Sequence, residues 1–115
     1  MNKRKLGAEM EDRAVLYLES KRYRILARNF RCRSGEIDLV ARDGLTLVFI
    51  EVKFRASHRA GDPEDSVTPA KIHRILQVAQ YYRMVKGVPE DTPMRFDVLA
   101  IDEKGIRHIT DAFWA

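Results

Sequence analysis

The sequence predicts an α/β fold, a single domain over residues 1–115 with element order α-β-β-β-α-β-β, and three observations predict it. Apolar residues recur at helical spacing in two separate stretches, one near the start and one between Thr68 and Gly87. Between and after them lie short apolar runs of strand length, two of which are joined through an Asp-Gly turn. The 115 residues, 45% apolar and 33% charged, suit one hydrophobic core and contain no Gly, Pro or Ser tract of the disordered kind.

The first helix is expected over residues 6–21, where Met10, Ala14, Val15 and Leu18 follow the i, i+4, i+5, i+8 spacing of one buried stripe. Tyr23, Ile25 and Ala27 alternate with Arg22, Arg24, Leu26 and Arg28, which predicts a strand with a partly basic face ending near Asn29. After the polar RCRSG turn, residues 37–41 and 47–52 form a hairpin around ARDGL. Residues 55–67 mix Gly, Pro, Ser and both charges without apolar periodicity and are expected to form an exposed, mobile loop. Thr68 and Pro69 make an N-cap and first helical position, and Ile72, Ile75, Leu76, Ala79 and Tyr82 keep helical spacing until Gly87 stops it. Phe96, Val98 and Ala100 mark a further strand, and after the DEKG turn residues 106–110 form the last; no internal repeat is present.

Composition narrows the function classes. The longest unbroken aliphatic or aromatic run covers residues 14–18, far short of the roughly 18 to 20 residues that span a bilayer. The basic start lacks a following apolar region, so no secretory signal is expected and a cytoplasmic location follows. Cys32 has no intramolecular partner, which suits a reducing compartment, and reads as a half-buried thiol. The net charge of +4 is unevenly spread: residues 1–35 carry ten Lys and Arg against four Asp and Glu. Clustered cations suit a polyanion partner because they neutralise phosphates and release counterions, although solubility alone accounts for many basic chains.

Charges interrupt the hairpin. Residues two apart on a strand share a face, so Glu36 lies with Asp38 and Glu51 with Lys53. The other face, Ile37, Leu39 and Ala41 with Val48, Ile50 and Val52, is apolar and is expected to be the core side. A two-residue turn sets Asp38 opposite Phe49 and diagonal to Glu51; a four-residue turn sets Asp38 directly opposite Glu51. A three-residue turn would drive Asp38 into the apolar side at high cost. In both remaining registers the two carboxylates are neighbours, and unless a cation stands between them they repel. Lys53 supplies one such cation; a divalent metal with hard oxygen ligands, Mg²⁺ or Mn²⁺, supplies another. The second alternative points to metal-assisted phosphodiester hydrolysis, with Asp38, Glu51 and Lys53 as its parts. The same spacing equally suits ordinary cross-strand ion pairs on a solvated face.

An aspartate on one strand and Glu-x-Lys on the next resembles the PD-(D/E)xK nuclease superfamily, which includes type II restriction enzymes and archaeal Holliday-junction resolvases. More closely, nearly the whole chain resembles the bacterial YraN-like family, long regarded as uncharacterised and endonuclease-related. The resemblance is carried by Glu11 to Ala14 with Tyr17 and Leu18, Tyr23 to Leu26, Arg28 to Arg31, GEIDLV at 35–40, FIEVK at 49–53 with Arg55, Gly61 to Pro63 with Val67 and Lys71, Arg95 to Val98, and Ala112 with Phe113. It implies a restriction endonuclease-like fold with a central mixed sheet of four to five strands flanked by helices. It also implies that Asp38 and Glu51 bind the metal, that Lys53 is the catalytic lysine, and that Glu11 is the first-helix acid near the metal. Glu36 is a secondary candidate, as are Gln77 and Gln80 on the second helix, for which an exposed position is the plainer reading. The family often has Gly before the position of Glu11 and an aromatic before that of Gly61, where this chain has Met10 and Ala60.

Arg31 and Arg33 lead into the Asp38 strand, and Arg55 and Arg59 follow Lys53, so all four are expected to contact the nucleic-acid backbone beside carboxylates that would otherwise repel it. His58, His73 and His108 lack zinc-ligand spacing. Trp114 is expected to cap the core, and Asp97 to be a structural, outward residue near the sheet end. The expected function is Mg²⁺- or Mn²⁺-dependent endonucleolytic cleavage of DNA, branched or flapped, with RNA as a weaker alternative. The rival is a nucleic-acid-binding module serving a repair partner with little catalysis. Resolvase-like relatives imply a homodimer.

Overall fold

The elements occur in the expected order: α1 (Lys3–Ser20), β1 (Arg24–Cys32), β2 (Gly35–Asp43), β3 (Thr46–Phe54), α2 (Pro69–Lys86), β4 (Met94–Asp102) and β5 (Gly105–Ile109). The computed structural model describes residues 3–54 and 68–113. The expected loop over 55–67, with Arg55, His58 and Arg59, and the expected Trp114 cap lie outside the described residues. The fold class is α/β: a five-stranded sheet in the order β1-β2-β3-β4-β5, flanked by helices. Neighbouring strands are antiparallel except β3 and β4, which run parallel. Parallel neighbours require a crossover connection, and α2 provides it.

The bounds of α2 follow from its cap chemistry. The Thr68 hydroxyl accepts the Lys71 N–H at 3.2 Å, Pro69 occupies the first turn, where it forfeits no bond, and Gly87 ends the helix in the left-handed region at φ 62°. Among the described residues, no helix is long and apolar enough to cross a membrane.

The expectation of one apolar and one charged sheet face is corrected by the structure. Both faces are buried. Leu39, Ala41, Val48, Ile50, Leu99 and Ile101 pack with Ala14 and Leu18 of α1; Ile37, Val40, Leu47, Phe49 and Phe96 pack with Ile75, Val78, Ala79 and Tyr82 of α2. A crossover helix must cover the face it crosses, so the strands central to the sheet read as near-continuous apolar runs. The charges are pushed to the ends of β2 and β3.

β1 is longer than expected. It does not stop at Asn29; that residue takes a left-handed φ of 53° and the strand continues to pair with β2 as far as Cys32 opposite Gly35. Asn tolerates this region better than most side-chain-bearing residues. Across from it, the alternation of β2 slips: Ile37 faces α2 while Leu39 faces α1. Asp38 sits at the slip.

Asp97 is not outward. It is fully buried, held by Arg95 Nε at 2.9 Å and Nη2 at 3.0 Å, by His108 Nε2 at 2.7 Å and by the Asp111 N–H at 3.0 Å. Arg95 also donates to the Tyr23 hydroxyl and to Asp43. Burial pushes the Asp97 carboxyl up, but the bonds from His108, Arg95 and Asp111 outweigh it and hold the group below the ordinary carboxylate range. The structural role expected of Asp97 stands, with the side chain pointing inward.

Candidate functional site

β2 and β3 pair from Asp43 opposite Thr46 to Leu39 opposite Ile50. This is the register that the sequence ties to a four-residue turn, with Arg42 opposite Leu47, but the turn itself is only Gly44 and Leu45, because Asp43 also pairs with Thr46; extended by one pair, the register sets Asp38 opposite Glu51. Beyond Leu39 and Ile50 the two strands part company. β2 continues along β1 to Gly35, while β3 continues along β4 as far as Phe54 opposite Ile101. Asp38 and Glu51 stand at the mouth of this fork, one on each prong.

Asp38 bridges the gap it stands in: its Oδ2 accepts the Val52 N–H at 2.8 Å. Burial pushes its carboxyl up to about 6, opposed by the Val52 hydrogen bond and reinforced by the charges of Glu51 and Glu36. Glu51 Oε1 pairs with Lys53 Nζ at 3.2 Å and, more closely, with Lys71 Nζ from the first turn of α2. Its other oxygen, Oε2, is buried and has no hydrogen-bond partner among the described residues. Burial and the adjacent Lys71 ammonium both lower the pKa of Lys53. Burial also opposes the charge of Lys71, but its bond to Glu51 prevails and raises it.

The other expected residues group around the fork unevenly. Glu36, Asp38 and Glu51 line one small cavity on the α2 side together with Ile37, Phe49 and Ile75. Glu11, Arg31, Asn29 and Asp38 line a groove on the α1 side. Glu11 is engaged there: Arg28 Nε reaches it at 2.7 Å and Asn29 Nδ2 at 2.9 Å. Among the described residues no three His, Cys, Asp or Glu side chains converge closely enough to form a metal-holding group. Asp38 shares the α2-side cavity with Glu51 and Glu36, and Glu11 borders Asp38 on the α1 side. Arg31 is exposed and pairs with Glu36 at 3.4 Å; Arg33 is exposed on the turn between β1 and β2. Gln77 and Gln80 are exposed on α2, and Gln77 contacts His73.

Lys71 was missed as a site residue. A signal was present: a cation in the first turn of a capped helix faces the positive end of the helix dipole, which is unfavourable unless an anion lies beside it. Glu51 is that anion.

Residues 10–101 match the uncharacterised protein family UPF0102. The chain belongs to this family. A UPF0102 protein of Lachnoclostridium phytofermentans is 49% identical over 113 residues, 98% of this chain and 96% of its own. A UPF0102 protein of Geobacter sulfurreducens is 51% identical across 94% of this chain and 88% of its own, and one of Thermodesulfovibrio yellowstonii 46% identical across 95% and 96%. The fork, with Asp38, Glu51 and Lys53, lies inside the segment that defines UPF0102 membership.

Proposed function

We propose that this UPF0102 protein is a divalent-metal-dependent nuclease of the PD-(D/E)xK type, an endonuclease that hydrolyses phosphodiesters in DNA, with branched or flapped DNA as the substrate. The observation that carries the reading is the fork itself: Asp38 and Glu51 line one cavity, a buried Glu51 oxygen lacks a hydrogen-bond partner among the described residues, and Lys53 lies two residues further along the same strand.

A hard cation fits this donor set. Mg²⁺ and Mn²⁺ accept one or two carboxylates and fill their remaining positions with water and phosphate oxygens. Asp38 and Glu51 would hold it, with Glu11 as an acid on the α1 side of the fork. When bound, the cation polarises the scissile phosphate and lowers the pKa of an attacking water. Lys53 Nζ, anchored beside Glu51, donates hydrogen bonds to that water or to the charge developing on the phosphate. Its depressed pKa brings the ammonium closer to giving up a proton at neutral pH. Arg31 and Arg33, exposed beside the Asp38 strand, offset the repulsion between carboxylates and a polyanion, and Arg55 and Arg59 are assigned the same duty. A cytoplasmic location and a homodimer, with two sites for two cuts, belong to the same proposal.

A second reading has one observation in its favour. Glu51 Oε1 is already neutralised by two lysines, as expected of a nucleic-acid-binding module that retains the residues but hydrolyses little. The two readings separate in a cleavage assay with Mg²⁺ or Mn²⁺ on linear, flapped and four-way DNA and on structured RNA, comparing the wild type with Asp38→Ala and Lys53→Ala. Metal-dependent cleavage by the wild type alone supports the nuclease. Binding by all three without cleavage of any substrate supports the module.

A further inference from the structure

Lys71 is placed where a lysine is least expected. It stands in the first turn of α2, three residues after the capping Thr68, where the helix dipole disfavours a cation. Its ion pair with Glu51 offsets this, and it reaches the same oxygen that Lys53 holds at 3.2 Å. Two ammonium groups on one carboxylate oxygen repel each other, so a divalent cation that takes Glu51's charge sets one of them free, and Lys71, on a separate element that borders a groove, is the one with another place to go.

Its nearest alternative is a groove of the right sign. Lys71 and Arg74, one helical turn apart, line a depression with Ser34, Gly35, Glu36 and Ile75. The same Ser34, Gly35 and Glu36 line the adjoining depression that holds Arg31 and Arg33. Four cations therefore follow one path from the fork over the turn between β1 and β2, with Glu36 as the acid that lines both depressions among the described residues. That acid is itself paired with Arg31.

We propose that Lys71 is an exchangeable counter-charge: it neutralises Glu51 while no divalent cation is bound, and passes to a nucleic-acid phosphate in the Arg74 groove when a cation takes Glu51. The inference rests on the metal-dependent reading above and adds to it a coupling. Cation and nucleic acid each strengthen the binding of the other, by the same factor, because each favours the released lysine. Lys71 is thus a positioning residue, distinct from Lys53, which stays on the strand beside the chemistry.

The test uses the full chain, with folding of each variant checked by circular dichroism. Mn²⁺ binding is measured by calorimetry, and affinity for a labelled four-way DNA junction by anisotropy with and without Ca²⁺, a divalent probe of the same charge. Lys71→Met removes the competitor: it binds Mn²⁺ about fivefold tighter than the wild type, and its DNA affinity no longer rises with Ca²⁺. Lys71→Arg keeps the charge and restores the coupling. Arg74→Met, which does not touch Glu51, weakens DNA binding at unchanged Mn²⁺ affinity. Equal or weaker Mn²⁺ binding by Lys71→Met, or an undiminished Ca²⁺ effect on its DNA affinity, overturns the exchange while leaving the metal site intact. If the wild type and Asp38→Ala alike give no Mn²⁺ heat, the metal reading itself falls, and the exchange with it.

Discussion

Asp38 accepts the backbone N–H of Val52, with 2.8 Å between Oδ2 and the amide nitrogen, at the point where β2 and β3 cease to pair. A side chain thus replaces the carbonyl that a continuing ladder would have offered. The bond satisfies the backbone donor at the fork, where Asp38 shares a cavity with Glu51. Four expectations follow from this arrangement and its surroundings.

Asp38 is held in a place that costs stability. Its folded pKa of about 6 lies above the ordinary 3.8. The sign is that of a raised acid: the stabilising contribution is complete below the unfolded value and is lost as pH rises through about 6. At pH 7 Asp38→Asn, which keeps the acceptor for Val52, is expected to stabilise the fold by roughly 1 to 3 kcal/mol. Urea unfolding at pH 7 and at pH 4 checks this, the gain shrinking at the lower pH. The same variant loses metal-dependent cleavage.

Cation binding should release a proton from Asp38 below neutrality, because a carboxylic acid must ionise to coordinate. Calorimetric Mn²⁺ titrations at pH 6 in two buffers of different ionisation enthalpy are expected to give different apparent heats, and affinity should fall as pH drops below about 6. Identical heats in both buffers, with affinity flat from pH 5 to 7, would sink the assignment.

The acids are expected to rank. Lys53→Met should cut the cleavage rate by about 100-fold to 10,000-fold with cation binding retained. Glu11→Gln should weaken cation binding less than Asp38→Ala does, because Glu11 borders Asp38 on the α1 side and is already engaged by Arg28 and Asn29. Calorimetry on the three variants orders them; a Glu11 effect equal to that of Asp38 would contradict the geometry.

Asp97 carries structural weight away from the fork. Asp97→Ala leaves Arg95 and His108 facing an empty buried position and should cost about 3 to 5 kcal/mol in urea unfolding. Its depressed folded pKa means that its contribution is present above the ordinary carboxylate value and is lost as pH falls below it. Wild-type stability should therefore decline below about pH 4, and the decline should be shallower in Asp97→Ala.

Much of this was legible in the residues. Thr68, Pro69 and Gly87 set the limits of α2 through local chemistry, and the cost of burying Asp38 reduced the hairpin to two registers, one of which the structure adopts. What escaped was tertiary. A strand pattern of Val40, Phe49 and their neighbours does not tell whether its second face will be covered, and here α2 covers it. The slip between Ile37 and Leu39 needs Asn29 on the facing strand to turn left-handed, a cross-strand effect that no single segment encodes. Asp97 lies in an alternating strand where an outward charge is ordinary; only the arrival of Arg95 and His108 makes an inward one tolerable. Lys71 and Glu51 are twenty positions apart, and the crossover alone brings them together.

The strand order also bears on the sequence of assembly to be expected. β1, β2 and β3 form a meander whose turns are two residues long, so their pairing closes small loops and is rapid. β4 joins β3 only after the whole crossover has been made, Lys53 lying beside Ala100. The acidic pair is thus a product of early, local folding, and Lys71 joins it with the later docking of α2. Asp38 and Glu51 are therefore expected to meet before Lys71 arrives, with Lys53 as the cation beside Glu51 until then.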